Sequence, residues 1–228
     1  MARKLTIAID GPGSAGKGTV ARWVARTLGY RYVDTGAMYR AVALVALRRG
    51  VQLDDGKDMG ALAEGLEFDM AWDGDVLHSF VDGEDITPGL REESVGRAAS
   101  DVSRLPPVRA ALLSTQRSLA RKGGIVMDGR DIGTVVLPDA DLKIYLDADL
   151  DERARRRHEE LIRRGDVRSF AEVRDALELR DRQDRERSVA PLVCAPDAVR
   201  VDTTDLTLRA AVDRVLELVA RRLAADAR

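Results

Sequence analysis

The feature that most restricts this chain is a nine-residue stretch near its start, Gly11-Pro12-Gly13-Ser14-Ala15-Gly16-Lys17-Gly18-Thr19. Ahead of it, Leu5-Thr6-Ile7-Ala8-Ile9 is a short, β-branched apolar run that reads as a buried strand. Behind it, Val20, Val24 and Leu28 recur at helical spacing, so the loop opens directly into a helix. Glycines let the backbone take φ values that other residues resist, and successive N–H groups at a helix N-terminus then surround an anion. Strand, glycine loop and helix in this order form the context in which Gly-x-x-x-x-Gly-Lys binds phosphate. Lys17 adds a full positive charge there, and it is one of only five lysines among 37 basic residues.

Four more apolar runs read as strands: Tyr32-Val33-Asp34, Ile125-Val126-Met127-Asp128, Leu142-Lys143-Ile144-Tyr145-Leu146 and Ala198-Val199-Arg200-Val201. Helical patterns fall between and after them. One covers Ala37 to Arg49; the last carries Leu208, Val212, Val215, Val219 and Leu223 on one stripe, with Thr207 placed as its N-cap. Alternating strands and helices imply an α/β fold of three layers. Its five-stranded, mostly parallel sheet has helices on both faces and ligand sites at the carboxyl ends of the strands.

Two segments depart from this plan. Between Asp54 and Glu93 thirteen acidic residues face only Lys57 and Arg91, and 66–70 and 76–81 alternate like antiparallel strands around Asp73-Gly74-Asp75. From Glu152 to Arg187 there are twelve arginines against ten acids, in helical sequence. The expected organisation is a core of 1–53, 94–150 and 188–228, an acidic β-containing insert over 54–93, and an arginine-rich helical lid over 151–187.

Composition narrows the class of function. A net charge of −2 argues against a chain that neutralises nucleic-acid backbone, and nine aromatic residues offer little for stacking bases. The longest apolar runs, such as 41–47, are far too short to cross a bilayer, and no leader is read ahead of the first strand, so a cytoplasmic monomer with no membrane partner is expected. Cys194 stands alone, and with two histidines it builds neither a disulfide nor a metal cluster. His78 and His158 fall in the two departing segments and are expected to face water.

Further motifs sit where such a sheet binds ligands. The second strand ends in Asp34-Thr35-Gly36-Ala37-Met38-Tyr39-Arg40, and the third in Asp128-Gly129-Arg130-Asp131-Ile132-Gly133. Arg180, Asp184 and Arg187 are spaced to share one helix face, and Arg182 and Arg185 form a second row. With 11–19, Arg97-Ala98-Ala99-Ser100, Arg109 and Arg187-Ser188-Val189-Ala190-Pro191-Leu192, these segments resemble the bacterial cytidylate kinases over essentially the whole chain.

That resemblance implies a P-loop kinase core, ATP with Mg²⁺, and CMP or dCMP as acceptor. It places Arg40 and Arg130 on the acceptor phosphate, Ser100, Arg109, Asp131 and Arg187 on the cytosine, and Arg180 with Asp184 on the sugar hydroxyls. Thr35, standing where serine is expected, and Tyr39 join the acceptor side. Lys17, Arg130, Arg153 and Arg157 are the expected catalytic cations, the last two from the run Arg153, Arg155, Arg156, Arg157 that can close over the ATP phosphates. Hydroxyl placement at Thr19, after Gly18, is the order of nucleoside monophosphate kinases. It leaves the Mg²⁺ ligand open among Thr19, Asp10 and Asp128, and Asp128 reads equally well as orienting the next loop. The acceptor oxygen is already anionic, so no general base is required. A kinase for another small acceptor, such as a different nucleotide or shikimate, remains an alternative, as does a GTPase switch, although no Asn-Lys-x-Asp string occurs.

Overall fold

A computed structural model describes residues 3–73 and 76–226. Gly74 and Asp75, the expected turn of the acidic insert, lie outside the described residues. The chain divides into two compact units, Met1–Tyr32 with Lys122–Arg228, and Val33–Arg121.

The first unit is built on strands β1 (Thr6–Asp10), β6 (Ile125–Gly129), β7 (Leu142–Asp147) and β8 (Val199–Asp202), and β2 (Arg31–Asp34) starts within it. Their order is β2-β6-β1-β7-β8. β1 pairs in parallel with β6 and β7, and β7 with β8, so the expected α/β core with a parallel sheet is present. β1 and β6 are buried almost throughout, which is why both read as continuous apolar runs rather than alternating ones. Helix α1 (Lys17–Leu28) packs on β6 and on the last helix, α8 (Leu208–Asp226). Thr207 caps α8 as expected, its hydroxyl accepting the N–H of Ala210 at 3.2 Å.

Helices α6 (Leu150–Arg163) and α7 (Phe170–Glu186) form the arginine-rich segment. Their apolar seam is small: Ala154, Leu161, Val173 and Leu177, with Leu150 against it. Local signals therefore carry much of their helicity. Asp149 caps α6, Ser169 and Glu172 make a reciprocal capping box on α7, and acidic residues occupy both first turns, where the helix dipole favours them.

In the second unit, α2 (Thr35–Arg49) starts two residues before the expected Ala37, because Asp34 caps it by accepting the N–H of Ala37 at 2.8 Å. Helix α3 (Gly56–Glu64) lies on α5 (Pro106–Ala120), and α2 on α4 (Glu93–Val102). A side chain at Gly60 would bring Cβ within 2.5 Å of Pro107 Cβ, so glycine sets that approach. The acidic insert forms an antiparallel sheet of β3 (Phe68–Asp73), β4 (Val76–Val81) and a short β5 (Glu84–Asp85). No helix among the described residues is long and apolar enough to cross a membrane.

Candidate functional site

The loop between β1 and α1 is shaped by left-handed backbone. Gly11 has φ 147°, and a Cβ there would fall 1.9 Å from the carbonyl oxygen of Leu146 at the end of β7, so no other residue fits. Gly16, at φ 88°, is the N-cap of α1, and no side chain caps that helix. Ser14 also sits at φ 59°, a conformation that costs a non-glycine residue energy unless its surroundings hold it.

The surroundings do hold it. Arg153 Nη1 donates to the carbonyl of Gly13 at 3.2 Å, and the Thr203 hydroxyl lies 3.2 Å from the carbonyl of Ala15. In a trans peptide the C=O and the following N–H point in opposite directions. Carbonyls of Gly13 and Ala15 tied on one side therefore turn the N–H groups of Ser14 and Gly16 to the other. This cradle suits an anion, as the glycine pattern predicted.

Lys17 lies buried at its mouth, with Nζ donating to the carbonyl of Pro12 at 2.6 Å. Burial, helped by the Arg130 charge, pushes its pKa down to about 7 against the pull of Asp128, Asp10 and Asp184. A cation held so far below its ordinary value is a group that gains most from an arriving anion.

Of the two candidate metal carboxylates, Asp10 is committed to backbone. Asp10 accepts the N–H groups of Ile132 and Gly133, at 2.8 and 2.7 Å, one with each oxygen. It is the residue that orients the next loop, a role the sequence left open for Asp128. Burial raises its pKa to about 6, partly countered by those two hydrogen bonds. Its bonds fix a π-helical turn over Ile132–Val136 that the apolar pattern did not foretell. Asp128 instead accepts the Tyr32 hydroxyl at 2.7 Å and lies beside Gly18, at the start of α1. Among the described residues no group of three or more His, Cys, Asp or Glu is placed to hold a metal.

Beyond β6, Arg130 and Asp131 are each paired with α7 or its end. Arg130 Nε donates to Asp184 Oδ2 at 2.7 Å, and its Nη2 lies 3.8 Å from where a Cβ on Gly13 would stand. Arg187 Nη2 reaches Asp131 Oδ1 at 3.5 Å, with both side chains nearly inaccessible. Burial opposes the charge on Arg130, but Asp184 with Asp128 and Asp181 outweighs it and raises the pKa. Burial likewise works against the Asp184 carboxylate, and Arg130, Arg180 and Arg187 together hold its pKa down. The expected cluster of Arg130, Asp131, Arg180, Asp184 and Arg187 is thus brought together. Arg187 reaches it from the C-cap of α7, in extended conformation, rather than from a helical position, and its Nε donates to the carbonyl of Ala190 at 2.5 Å.

The arginine run behaves unevenly. Arg155 and Arg157 pair along α6 with Glu152, Glu159 and Glu160, forming the solvated charge lace common on such helices. Arg157, expected at the ATP phosphates, has its Nη1 on Glu160 at 2.8 Å. Arg153 was also expected to reach over the nucleotide; it is turned inward, 3% exposed, and bound to Gly13, to the carbonyl of Ala148 and to Asp181. The row containing Arg182 and Arg185 lines a cavity of about 250 Å³ together with Arg153 and Asp181.

In the second unit, Arg40 Nη2 donates to Asp34 Oδ2 at 2.9 Å, one turn into α2. Arg109 is buried, with Nη1 on the carbonyl of Ser103 at 3.2 Å and its guanidinium over the Tyr39 ring at 5.7 Å. Thr35 is buried at the start of α2, and Ser100 is half-buried on α4. Both histidines are half-exposed and hydrogen-bonded: His78 to Asp85 at 2.7 Å, and His158 to the carbonyl of Arg168 at 3.0 Å. Tyr32, Asp181 and Thr203 escaped the sequence reading. A signal existed for Thr203, which follows directly on a strand end.

A buried lysine in a glycine cradle at the carboxyl end of a parallel sheet defines a P-loop nucleotide-binding protein. Over nearly the same span as the structure, residues 7–221 match the family described as cytidylate kinase. The chain belongs to the cytidylate kinase family. It is 47% identical over 225 residues to the cytidylate kinase of Geobacillus sp. (strain WCH70), covering 98% of this chain and all of that one. With the cytidylate kinase of Desulfitobacterium hafniense (strain Y51) the identity is 48%, over 96% of this chain and 94% of that one. An uncharacterized protein from Eubacterium ventriosum ATCC 27560 shares the fold, with a TM-score of 0.52 at 12% identity, over 95% of this chain and 99% of that chain.

Proposed function

We propose that the chain transfers the γ-phosphoryl group of ATP in line to a phosphate oxygen of CMP or dCMP, giving ADP and the nucleoside diphosphate. Family membership supports the reaction, and one geometric observation supports its location. Arg130 lies against Gly13 of the phosphate cradle while its Nε is held by Asp184, so one guanidinium links the donor loop to the residues assigned to the acceptor.

Each residue then has a role that its placement suits. The cradle N–H groups and Lys17 hold the β- and γ-phosphates, and Lys17 follows the charge as it moves. Arg130 and Arg40 take the acceptor phosphate. Asp131 and Arg187, an acceptor and a donor held side by side, suit the amine and ring acceptors of cytosine, and the family resemblance assigns Ser100 and Arg109 to the same base. Arg180 and Asp184 take the sugar hydroxyls. The acceptor oxygen is anionic at neutral pH, so positioning and charge neutralisation carry the rate, and no base is needed.

The loop also fits Mg²⁺, through the Thr19 hydroxyl and the Asp128 carboxylate beside Gly18, with Asp10 committed to backbone. Held there, the ion would supply charge neutralisation at the β- and γ-phosphates.

An acceptor screen with CMP, dCMP, UMP, AMP and shikimate, each with ATP and with GTP as donor, tests this reading. The expected result is highest kcat/KM for CMP and dCMP with ATP. Best activity on AMP or shikimate overturns the acceptor assignment.

A further inference from the structure

Asp181 lies on α7, one turn before Asp184, and is 2% exposed. Its Oδ2 is ion-paired with Arg153 Nη1 at 2.6 Å, and its Oδ1 has no hydrogen-bond partner. A buried ion pair with an unsatisfied oxygen is a poor way to stabilise a helix pair. Replacing such a pair with apolar residues of similar volume is often neutral or stabilising, because the desolvation of both charges is removed. The α6–α7 seam already supplies Leu161, Val173 and Leu177 as apolar material. Something other than packing accounts for the pair.

What the pair reaches is the phosphate cradle. Arg153 Nε donates to the carbonyl of Ala148 just beyond β7, while Nη1 bridges Asp181 and the carbonyl of Gly13. The guanidinium is planar and rigid, so fixing it at Ala148 and Asp181 fixes where Nη1 meets Gly13. The Gly13–Ser14 peptide then cannot rotate. Its N–H stays turned into the cradle, and Ser14 stays in its left-handed conformation.

We propose that Asp181 is a positioning residue for phosphoryl transfer, acting through Arg153 to hold the Gly13–Ser14 peptide with its N–H aimed at the ATP phosphates. It touches no substrate. Its partner on the same helix, Asp184, is anchored separately through Arg130, so loss of Asp181 acts on the ATP side first. The proposal rests on the ATP-binding reading of the loop and deepens it.

The test is a double-mutant cycle of Asp181→Leu, Arg153→Met and the pair, with Asp181→Asn as the conservative variant. Steady-state constants are normalised to folded, active protein. Asp181→Leu is expected to raise KM for ATP and lower kcat by about tenfold each, on the scale of a misaimed backbone donor, with KM for CMP within about twofold. Asp181→Asn keeps an oxygen for Nη1 and is expected to recover about half of that loss on a logarithmic scale. In the Arg153→Met background, Asp181→Leu is expected to add nothing, since the residue acts through that arginine.

A merely structural Asp181 would change the melting temperature and leave both constants for ATP untouched, which refutes the proposal, as does a full Asp181→Leu effect persisting in Arg153→Met. If Asp181→Leu does not fold, the same criterion applies to Asp181→Asn, for which an unchanged KM and kcat refutes it. Should the unaltered protein fail to phosphorylate CMP, the acceptor reading falls alone. ATP dissociation constants of the same variants, by calorimetric titration, then decide the role of Asp181.

Discussion

Nucleotide binding should take up a proton at Lys17. In the nucleotide-free protein burial holds this lysine at about pKa 7, so at pH 8 only about one molecule in eleven carries the charge. The β- and γ-phosphates are fully ionised at that pH and favour the charged lysine, so binding should draw in about 0.9 proton per site. Titration calorimetry at pH 8 in buffers of different protonation enthalpy reads this directly, as the slope of observed heat against buffer enthalpy. ATP affinity should correspondingly fall about tenfold per pH unit above 7, until the pKa of the bound state is reached. For stability the sign is the opposite. The unfolded lysine keeps its proton up to 10.5 and the folded one does not, so between about 7 and 10.5 the nucleotide-free protein gains stability from Lys17 as pH rises. Below 7 the cost of burying the charge is present in full. A heat of binding independent of buffer at pH 8, or equal uptake in Lys17→Met, would refute the reasoning.

Lys17→Met should abolish turnover while leaving a folded protein by circular dichroism; preserved turnover ends the assignment of the loop. Gly11→Ala forces Cβ against the Leu146 carbonyl and should destabilise by more than about 3 kcal/mol in denaturant titration. Asp184→Ala leaves the half-buried Arg130 without its hydrogen-bonded partner and should cost about 1.5–3 kcal/mol, whereas Arg180→Ala, at an exposed position, should cost less, under about 1 kcal/mol, while raising KM for CMP. Arg157→Ala removes a surface pair and should cost under about 1 kcal/mol, so a tenfold fall in kcat at unchanged melting temperature would put Arg157 on the phosphates.

How much of this was legible in sequence follows the range of the forces involved. The central strands β1, β6 and β7 are buried on both faces, so their apolar runs announce them without reference to the rest of the chain. The glycine loop is equally local, since the positive φ of Gly11 and Gly16 is a requirement on those residues. Thr207 was readable as a cap for the same reason. The π-helical turn at Ile132–Val136 was not, because two hydrogen bonds from Asp10, more than a hundred residues earlier, create it. Nor could the run Arg153, Arg155, Arg156, Arg157 disclose which member turns inward: that depends on Gly13, Ala148 and Asp181 meeting in space. The family resemblance put Arg187 with its true neighbour, Asp131, whereas the helical spacing that put it with Arg180 and Asp184 ends one residue too soon to apply.

The groups that hold the phosphate cradle from outside, Arg153 and Thr203, belong to the later stretch of a unit whose sequence is interrupted by 33–121. During synthesis the glycine loop emerges among the first twenty residues, yet the Gly13 carbonyl has no holder until about 130 more have been joined, and the Ala15 carbonyl none until about 180 more. At about 5–20 residues per second, the longer delay is roughly ten to forty seconds. The intervening unit, continuous in sequence, is free to fold in that interval. The part of the protein made first is therefore finished last, and a truncated chain ending before Thr203 carries the whole glycine motif without the frame that makes it a nucleotide site.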